Sequence, residues 1–419
     1  MRLKDRTLSA NTGLDAIKRA PIVEYDTGLK CIRIQDISQG KNYDEWGFTE
    51  TNEKDRKKFL LKKNDLLIAR TGATVGVSQF IKEDTEAVYN NGTIRLRLEK
   101  SLNPRFVYYI FQTKGFLQYI DNISCVATQP NLRIEGLLRF TIPDYSIEKQ
   151  NAIVKTLSTF DDLIENNNKR IKLLEQIAEN LYKEWFVRFR FPGYENVQFK
   201  NSSLGKIPST FDTVKIGKVI EYYIGGGWGE EELSGQFTKE AYVVRGTDFP
   251  NVKYGILDSC PLRYHKLSNY DKRAFKVNDI AFEASGGTQK QPVGRSILIT
   301  ERQLKRFNNR LICASFCKLI RCDTKKVSPR YFYHWLQYLY ETKVIEQYQL
   351  QSTGIINFKF EYFLRKCNFL IPPKDIMEKF EESVKPIYDE IDILAEQNSK
   401  LITQRDMLLP RLMSGKLEV

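Results

Sequence analysis

A chain of 419 residues has room for two or three domains and a substantial core. Its 65 Lys and Arg against 52 Asp and Glu leave a formal net charge of +13, which points towards a polyanion and away from basic targets. The first 20 residues are polar and no apolar run approaches the length of about 18 residues that a span requires, so neither a secretory signal nor a membrane segment is expected and the chain is read as cytoplasmic.

In chain order, Cys31-Ile32-Arg33-Ile34-Gln35-Asp36 leads into short β-like runs at Leu66–Ala69, Val75–Ile81 and Thr93–Leu98, rich in Ile, Val and Leu. Between the first two runs lies Ala69-Arg70-Thr71-Gly72-Ala73-Thr74-Val75-Gly76, a turn punctuated by glycine. It offers the Arg70 guanidinium and the Thr71 and Thr74 hydroxyls, and such loops let backbone N–H groups and short polar side chains approach phosphates or base edges. Pro104 suits the first position of a helix and opens an aromatic-rich helical stretch. A second polar turn at 127–133 carries Gln129, Asn131 and Arg133; Gln and Asn suit adenine, and Arg suits guanine. Plain surface turns are the competing reading of both loops.

Ile142-Pro143 closes this part, and a long helix follows from Ile147 to about Phe191. Ile153, Leu157, Phe160, Ile164, Asn167, Ile171, Leu174, Ala178, Leu181 and Trp185 recur at alternating steps of four and three, the period of a coiled-coil strand. Asn167 is a polar insert of the kind that fixes register. The alternative is one long core helix.

The chain then repeats itself. Val243-Val244-Arg245-Gly246-Thr247-Asp248 answers Cys31–Asp36 at an offset of 212 residues, and Val277–Ala281 answers Lys63–Leu67 at 214. Val293-Gly294 answers Val75-Gly76 at 218, Pro329–His334 answers Pro104–Tyr109 at 225, and Ile371-Pro372 answers Ile142-Pro143 at 229. Order is kept while the offset grows, as expected of one unit written twice with small loop insertions. Asn201–Asp212, with its Ser, Gly and Pro, reads as the linker between copies. Gly225-Gly226-Gly227-Trp228-Gly229 lacks the spacing of a nucleotide-binding turn and reads as a flexible loop. The matching polar loops of copy two run from Ala284 to Gly294 and from Ser352 to Asn357. Candidate contacts there are Thr288, Lys290, Gln291, Thr353 and Asn357, with Arg295 and Lys359 beside them and Arg33 and Arg245 at equivalent places of the two copies.

A second seam runs towards the C-terminus through Val384, Ile387, Ile391, Leu394, Asn398, Leu401, Arg405, Leu408 and Leu412, with Asn398 as its polar insert. Pro386 is expected to start or kink this helix. Two matching seams pack most simply on each other, and an antiparallel pairing asks less of the connection than a parallel one. The helical stretches 147–191 and 373–419 carry charges of +1 and −3, so the excess of positive charge, +15, lies in the rest of the chain.

No catalytic constellation is apparent. Two histidines and seven scattered cysteines without a CxxC pair argue against a structural zinc site, and Cys313, Cys317 and Cys322 read as buried free thiols. Asn103-Pro104-Arg105-Phe106 resembles the target-base loop of adenine methyltransferases, but Arg105 replaces the second proline, and Ser328-Pro329-Arg330-Tyr331 in copy two points to a helix start instead.

The closing phrase Arg405-Asp406-Met407-Leu408-Leu409-Pro410-Arg411-Leu412-Met413-Ser414-Gly415 resembles the C-terminal conserved region of the DNA-specificity subunits of type I restriction-modification systems. The duplication, the Arg70–Gly76 turn and Leu181-Tyr182-Lys183-Glu184-Trp185-Phe186 fit the same family. The resemblance implies an α+β, pseudo-two-fold chain: target-recognition domains at 1–142 and 201–371, and conserved helical regions at 143–200 and 372–419. It implies partners too, namely double-stranded DNA, two adenine methyltransferase subunits and motor-nuclease subunits. S-adenosylmethionine, ATP and Mg would sit on those partners, and neither a cofactor nor a metal on this chain. Copy two is preceded by Gly205-Lys206-Ile207-Pro208 and a strand-like run from Val214 to Tyr223, and family members usually have a similar lead-in before copy one; Met1 stands only a dozen residues before Gly13, so the first domain is expected to lack an edge element here. A recognition subunit working with a fused methyltransferase-nuclease, or a non-enzymatic coiled-coil nucleic-acid scaffold, are the alternatives.

Overall fold

The apolar runs Leu66–Ala69 and Thr93–Leu98 satisfy their backbone groups by pairing with each other antiparallel, as a computed structural model of the chain shows. The structure describes residues 1–124, 131–256, 259–287, 291–351 and 355–418. Two compact units emerge, one of residues 1–163 with 401–419 and the other of residues 164–400.

In the first unit a four-stranded antiparallel sheet has the order Thr7–Thr12, Thr93–Leu98, Leu66–Ala69, Ser78–Phe80. A second sheet has the order Ile22–Val23, Gly47–Thr49, Lys30–Ile32, Ala87–Tyr89, its last pair parallel. The Pro104–Phe111 and Lys114–Ser124 helices pack Phe106, Phe111, Phe116 and Ile120 against the first sheet's Leu66, Ile68, Ile94 and Leu96. Ile153 and Leu157 of the first long helix and Leu409 and Leu412 of the last helix close the same core.

The second unit repeats both sheets. Ile220–Gly225, Cys317–Cys322, Ile280–Glu283 and Ser296–Leu298 match the first, and Leu262–Lys266, Phe237–Val244 and Leu311–Cys313 match the second, again with a parallel pair. Details recur at the expected offsets. Asp65 and Asp279 are both buried, and each takes a bidentate pair from an arginine on the neighbouring strand, Arg97 and Arg321, with Nε to Oδ1 distances of 2.7 Å in both copies.

The long helices are Ile147–Tyr182, continued by a π-helical turn at Lys183–Val187, and Lys374–Met413. Within the second unit they run antiparallel: Ile171 packs with Ile391 and Leu394, while Asn167 Nδ2 donates to Asn398 Oδ1 at 3.0 Å. Asn398 Nδ2 donates in turn to Asn168 Oδ1 at 2.9 Å, so the two polar inserts form one satisfied layer. Leu174 is half-buried against the same cluster, and Ile164 is half-buried. In the first unit the two helices are also antiparallel, with Arg405 Nη1 donating to Asp161 Oδ1 at 2.8 Å; Leu401 and Leu408 are half-buried there.

Four expectations are corrected. The lead-in strand of copy one is present as Thr7–Thr12, and the Arg2 to Thr141 bridge stands where copy two has the Asp212–Lys215 and Asn368–Ile371 ladder. Residues 201–212 are no loose linker, because Phe199–Ser202 and Gly205–Pro208 form a hairpin and Ile207 and Phe211 enter the core. Of the two roles read for Pro386, starting the helix is the one corrected, since the helix begins at Lys374; Pro386 lies on an exposed face, where solvent can take the carbonyl that proline leaves without a donor. The glycine run is pinned: Gly226 and Gly227 donate to the carbonyls of Cys317 and Cys313, and a Cβ at Gly226 would come within 2.1 Å of the Cys313 carbonyl.

Candidate nucleic-acid interface

The two polar loops of each copy, distant in sequence, meet at one backbone joint. In copy one the Leu132 N–H donates to the Arg70 carbonyl at 2.7 Å, Thr71 forms a bridge with Asn131, and Arg70 Nη2 donates to Asn131 Oδ1 at 3.0 Å. In copy two the Phe358 N–H donates to the Ala284 carbonyl at 2.8 Å, and Ser285 pairs with Asn357, its Oγ donating to Asn357 Oδ1 at 2.6 Å. A glycine bends the first loop of each copy at positive φ, Gly76 at 93° and Gly294 at 107°. Each donates its N–H back to the strand, to the Ala69 and Glu283 carbonyls. Side chains resist that backbone region, and a Cβ would press on Ile120 in copy one and Ile345 in copy two.

Several candidate side chains are open to solvent near this joint. Asn131, Arg133, Gln291 and Lys359 are exposed, while Thr71, Thr74 and Asn357 are half-buried. Arg33 is half-buried and caps its helix through Asp36, which accepts from the Arg33 N–H. Two other candidate arginines are engaged inside their own domain. Arg245 makes a bidentate pair with buried Asp248 and also donates to the Ser259 carbonyl, and Arg295 grips buried Glu283 with Nε and Nη2 at 2.8 and 2.6 Å. Leaving either carboxylate unpaired at that depth would cost several kcal/mol, on the order of 3–5. Gln129, Thr288, Lys290 and Thr353 lie outside the described residues.

Asn103 and Ser328 cap the helices that begin at Pro104 and Pro329, accepting from Phe106 N and Tyr331 N. Both stretches are therefore helix starts, with no base-binding loop. Burial drives the His334 imidazole down to about 3, and its Nε2 contacts the Tyr388 hydroxyl at 3.0 Å; burial also lowers His265. The six described cysteines are buried, and burial raises Cys31, Cys260 and Cys313 to about 12. Among the described residues no group of His, Cys, Asp and Glu could hold a metal ion, and no helix is long and apolar enough to cross a membrane.

Residues 24–176 match the type I restriction modification DNA specificity domain. The type I restriction enzyme MjaIX specificity subunit of Methanocaldococcus jannaschii is 26% identical over 91% of this chain and 83% of its own length. The chain is thus similar, over most of its length, to type I DNA specificity subunits. The HindI specificity subunit of Haemophilus influenzae is 22% identical over 88% of this chain and 90% of its own. In fold, a type I system S subunit from M. genitalium matches with a TM-score of 0.52 and 16% identity, covering 99% of this chain and 95% of the other. The closing phrase of this chain has a physical role: Arg405 pairs with Asp161, Leu409, Leu412 and Met413 enter the first unit's core, and Tyr145 Oη donates to the Met413 carbonyl at 3.1 Å.

The residues that sequence reasoning missed were signalled in the repeat itself. Arg-x-x-Asp occurs at 33–36 and 245–248, which is the pattern of a capping carboxylate.

Proposed function

We propose that this chain is a specificity subunit that reads a bipartite, asymmetric site in double-stranded DNA, one half with each globular copy. Its paired long helices dock two adenine methyltransferase subunits, and motor-nuclease subunits join the full complex. The chain has no active site of its own; S-adenosylmethionine, ATP and Mg act on the partner subunits.

The observation that carries this reading is the shared loop joint. Both copies hold the same backbone bond at corresponding places, 70 with 132 and 284 with 358, yet present different side chains around it. Two readers of one construction with different letters are what an asymmetric two-part site requires. A role in binding rather than catalysis is supported by the two histidines, which burial holds neutral.

The test is to map N6-methyladenine in DNA from cells with and without the gene. The expected result is one two-part motif, methylated only when the gene is present. Methyl transfer, nuclease or ATPase turnover by the highly purified chain alone would overturn the reading.

A further inference from the structure

The loop joint differs between the copies in where it puts its bulk. In copy one the Arg70 N–H donates to the Gly92 carbonyl at 2.9 Å, and in copy two the Ala284 N–H donates to the Phe316 carbonyl at 2.9 Å. The strand registers make these pairs equivalent: Ala69 pairs with Thr93, and Glu283 with Cys317. So copy one has a large side chain at the first position and none at the second, while copy two has a methyl at the first and a phenyl ring at the second.

The exchange is built into the surroundings. A Cβ at Gly92 would lie 2.4 Å from Ile34 Cδ1, so no side chain fits there. The counterpart of Ile34 in copy two is Gly246, which has no side chain to stand in the way. Phe316 is 62% exposed. Its carbonyl is held by two N–H groups, from Ala284 at 2.9 Å and Ser285 at 3.1 Å. The ring therefore stands in solvent on a fixed backbone, next to the loop that pairs with Asn357. Singly exposed apolar residues are ordinary on a protein surface; what sets Phe316 apart is its place at the loop joint, opposite the position of Arg70 in copy one, and an apolar contact from Phe is one way to recognise the C5-methyl of thymine in the major groove.

We propose that Phe316 is a specificity-determining residue that contacts the C5-methyl group of a thymine in the half-site read by the second domain, at the place where the first domain presents Arg70. This rests on the DNA-reading function proposed above.

The experiment uses the complete complex purified from cells and duplexes carrying its mapped motif, with deoxyuridine replacing thymine one position at a time. For the unaltered chain, loss of one methyl group in the second half-site should weaken binding roughly four-fold, the worth of one buried methyl. Phe316→Ala should bind less tightly and no longer distinguish thymine from deoxyuridine at that position. Phe316→Leu should keep part of the preference, and in all three proteins the first half-site should be read as strictly as before. Because the ring is exposed, its removal opens no core. The proposal is overturned if Phe316→Ala keeps the unaltered ratio at every thymine, or if an abasic site weakens binding where deoxyuridine does not, which would mean stacking. Absence of any motif in the unaltered complex would instead sink the DNA-reading function, and this proposal with it.

Discussion

Position 95 carries an arginine in the first copy, and its counterpart at 319 carries a leucine. Arg95 is only 3% exposed and pairs with no carboxylate among the described residues; its guanidinium lies over the Tyr89 ring at 5.2 Å and donates weakly to the Lys58 and Leu60 carbonyls at 3.4 Å. Burial lowers its affinity for the proton, the sign of a charge held where water would hold it better. The cation–π contact returns about 0.5–1 kcal/mol, less than the desolvation of a buried charge removes. Arg95→Leu should therefore stabilise the first unit by about 1 kcal/mol or more, seen as a higher denaturant midpoint at unchanged slope. Arg95→Ala should destabilise it, because it adds a cavity. A lower midpoint for the leucine variant would show that the two carbonyl contacts outweigh desolvation. No one-dimensional pattern announces this residue, since Thr-Ile-Arg-Leu-Arg-Leu reads as ordinary alternation; only the strand register tells Arg95 from Arg97. The same blindness hid the Arg295–Glu283 pair, whose partners are twelve residues apart in sequence.

At the scale of elements, legibility followed periodicity. The two seams were readable because a rule of fours and threes persists over many turns, and the structure buries Ile153, Leu157, Asn167, Ile171, Ile391, Leu394 and Asn398 along them. Thr7–Thr12 was not readable, because Thr-Leu-Ser-Ala-Asn-Thr has almost no apolar alternation and becomes a strand only by pairing with Thr93–Leu98. The 199–208 hairpin was hidden by its own turn, whose Ser and Gly look like a linker. Seam burial gives a direct test. Ile171 is 5% exposed among Ile391, Leu394 and Ala395, so Ile171→Asp places an unpaired charge in an apolar layer at a cost of several kcal/mol. The helix pairing and assembly with partner subunits should fail, while the sheets of both copies keep slow amide exchange. Normal assembly of the variant would remove the seam from the account. The exposed Lys172→Asp on the same turn should assemble as the unaltered chain does.

Across the whole molecule, the arrangement of chain ends decides how separable the two readers are. Asp212 pairs with Ile371 at the foot of the second globular part, and Arg2 pairs with Thr141 at the foot of the first. Each part thus leaves and re-enters its helical stem at one short ladder, with its own sheets and core between. Segments bounded in this way can be replaced without rethreading the rest. The exchange should be cut at Asp212 and Ile371, because a cut at 201 would divide the strand in which Asn201 pairs with Lys206. With the equivalent segment of another specificity subunit, the exchanged chain should direct methylation to a motif in which one half is new and the other unchanged. The reason is energetic: among the described residues, the backbone bonds that join the 70–76 and 131–133 loops lie inside the first unit, and those that join Ala284 and Ser285 to Asn357 and Phe358 lie inside the second. Methylome sequencing reads the result directly. If both halves of the motif changed together, the two loop joints would have to be coupled through the helices, and reading by independent domains would be wrong.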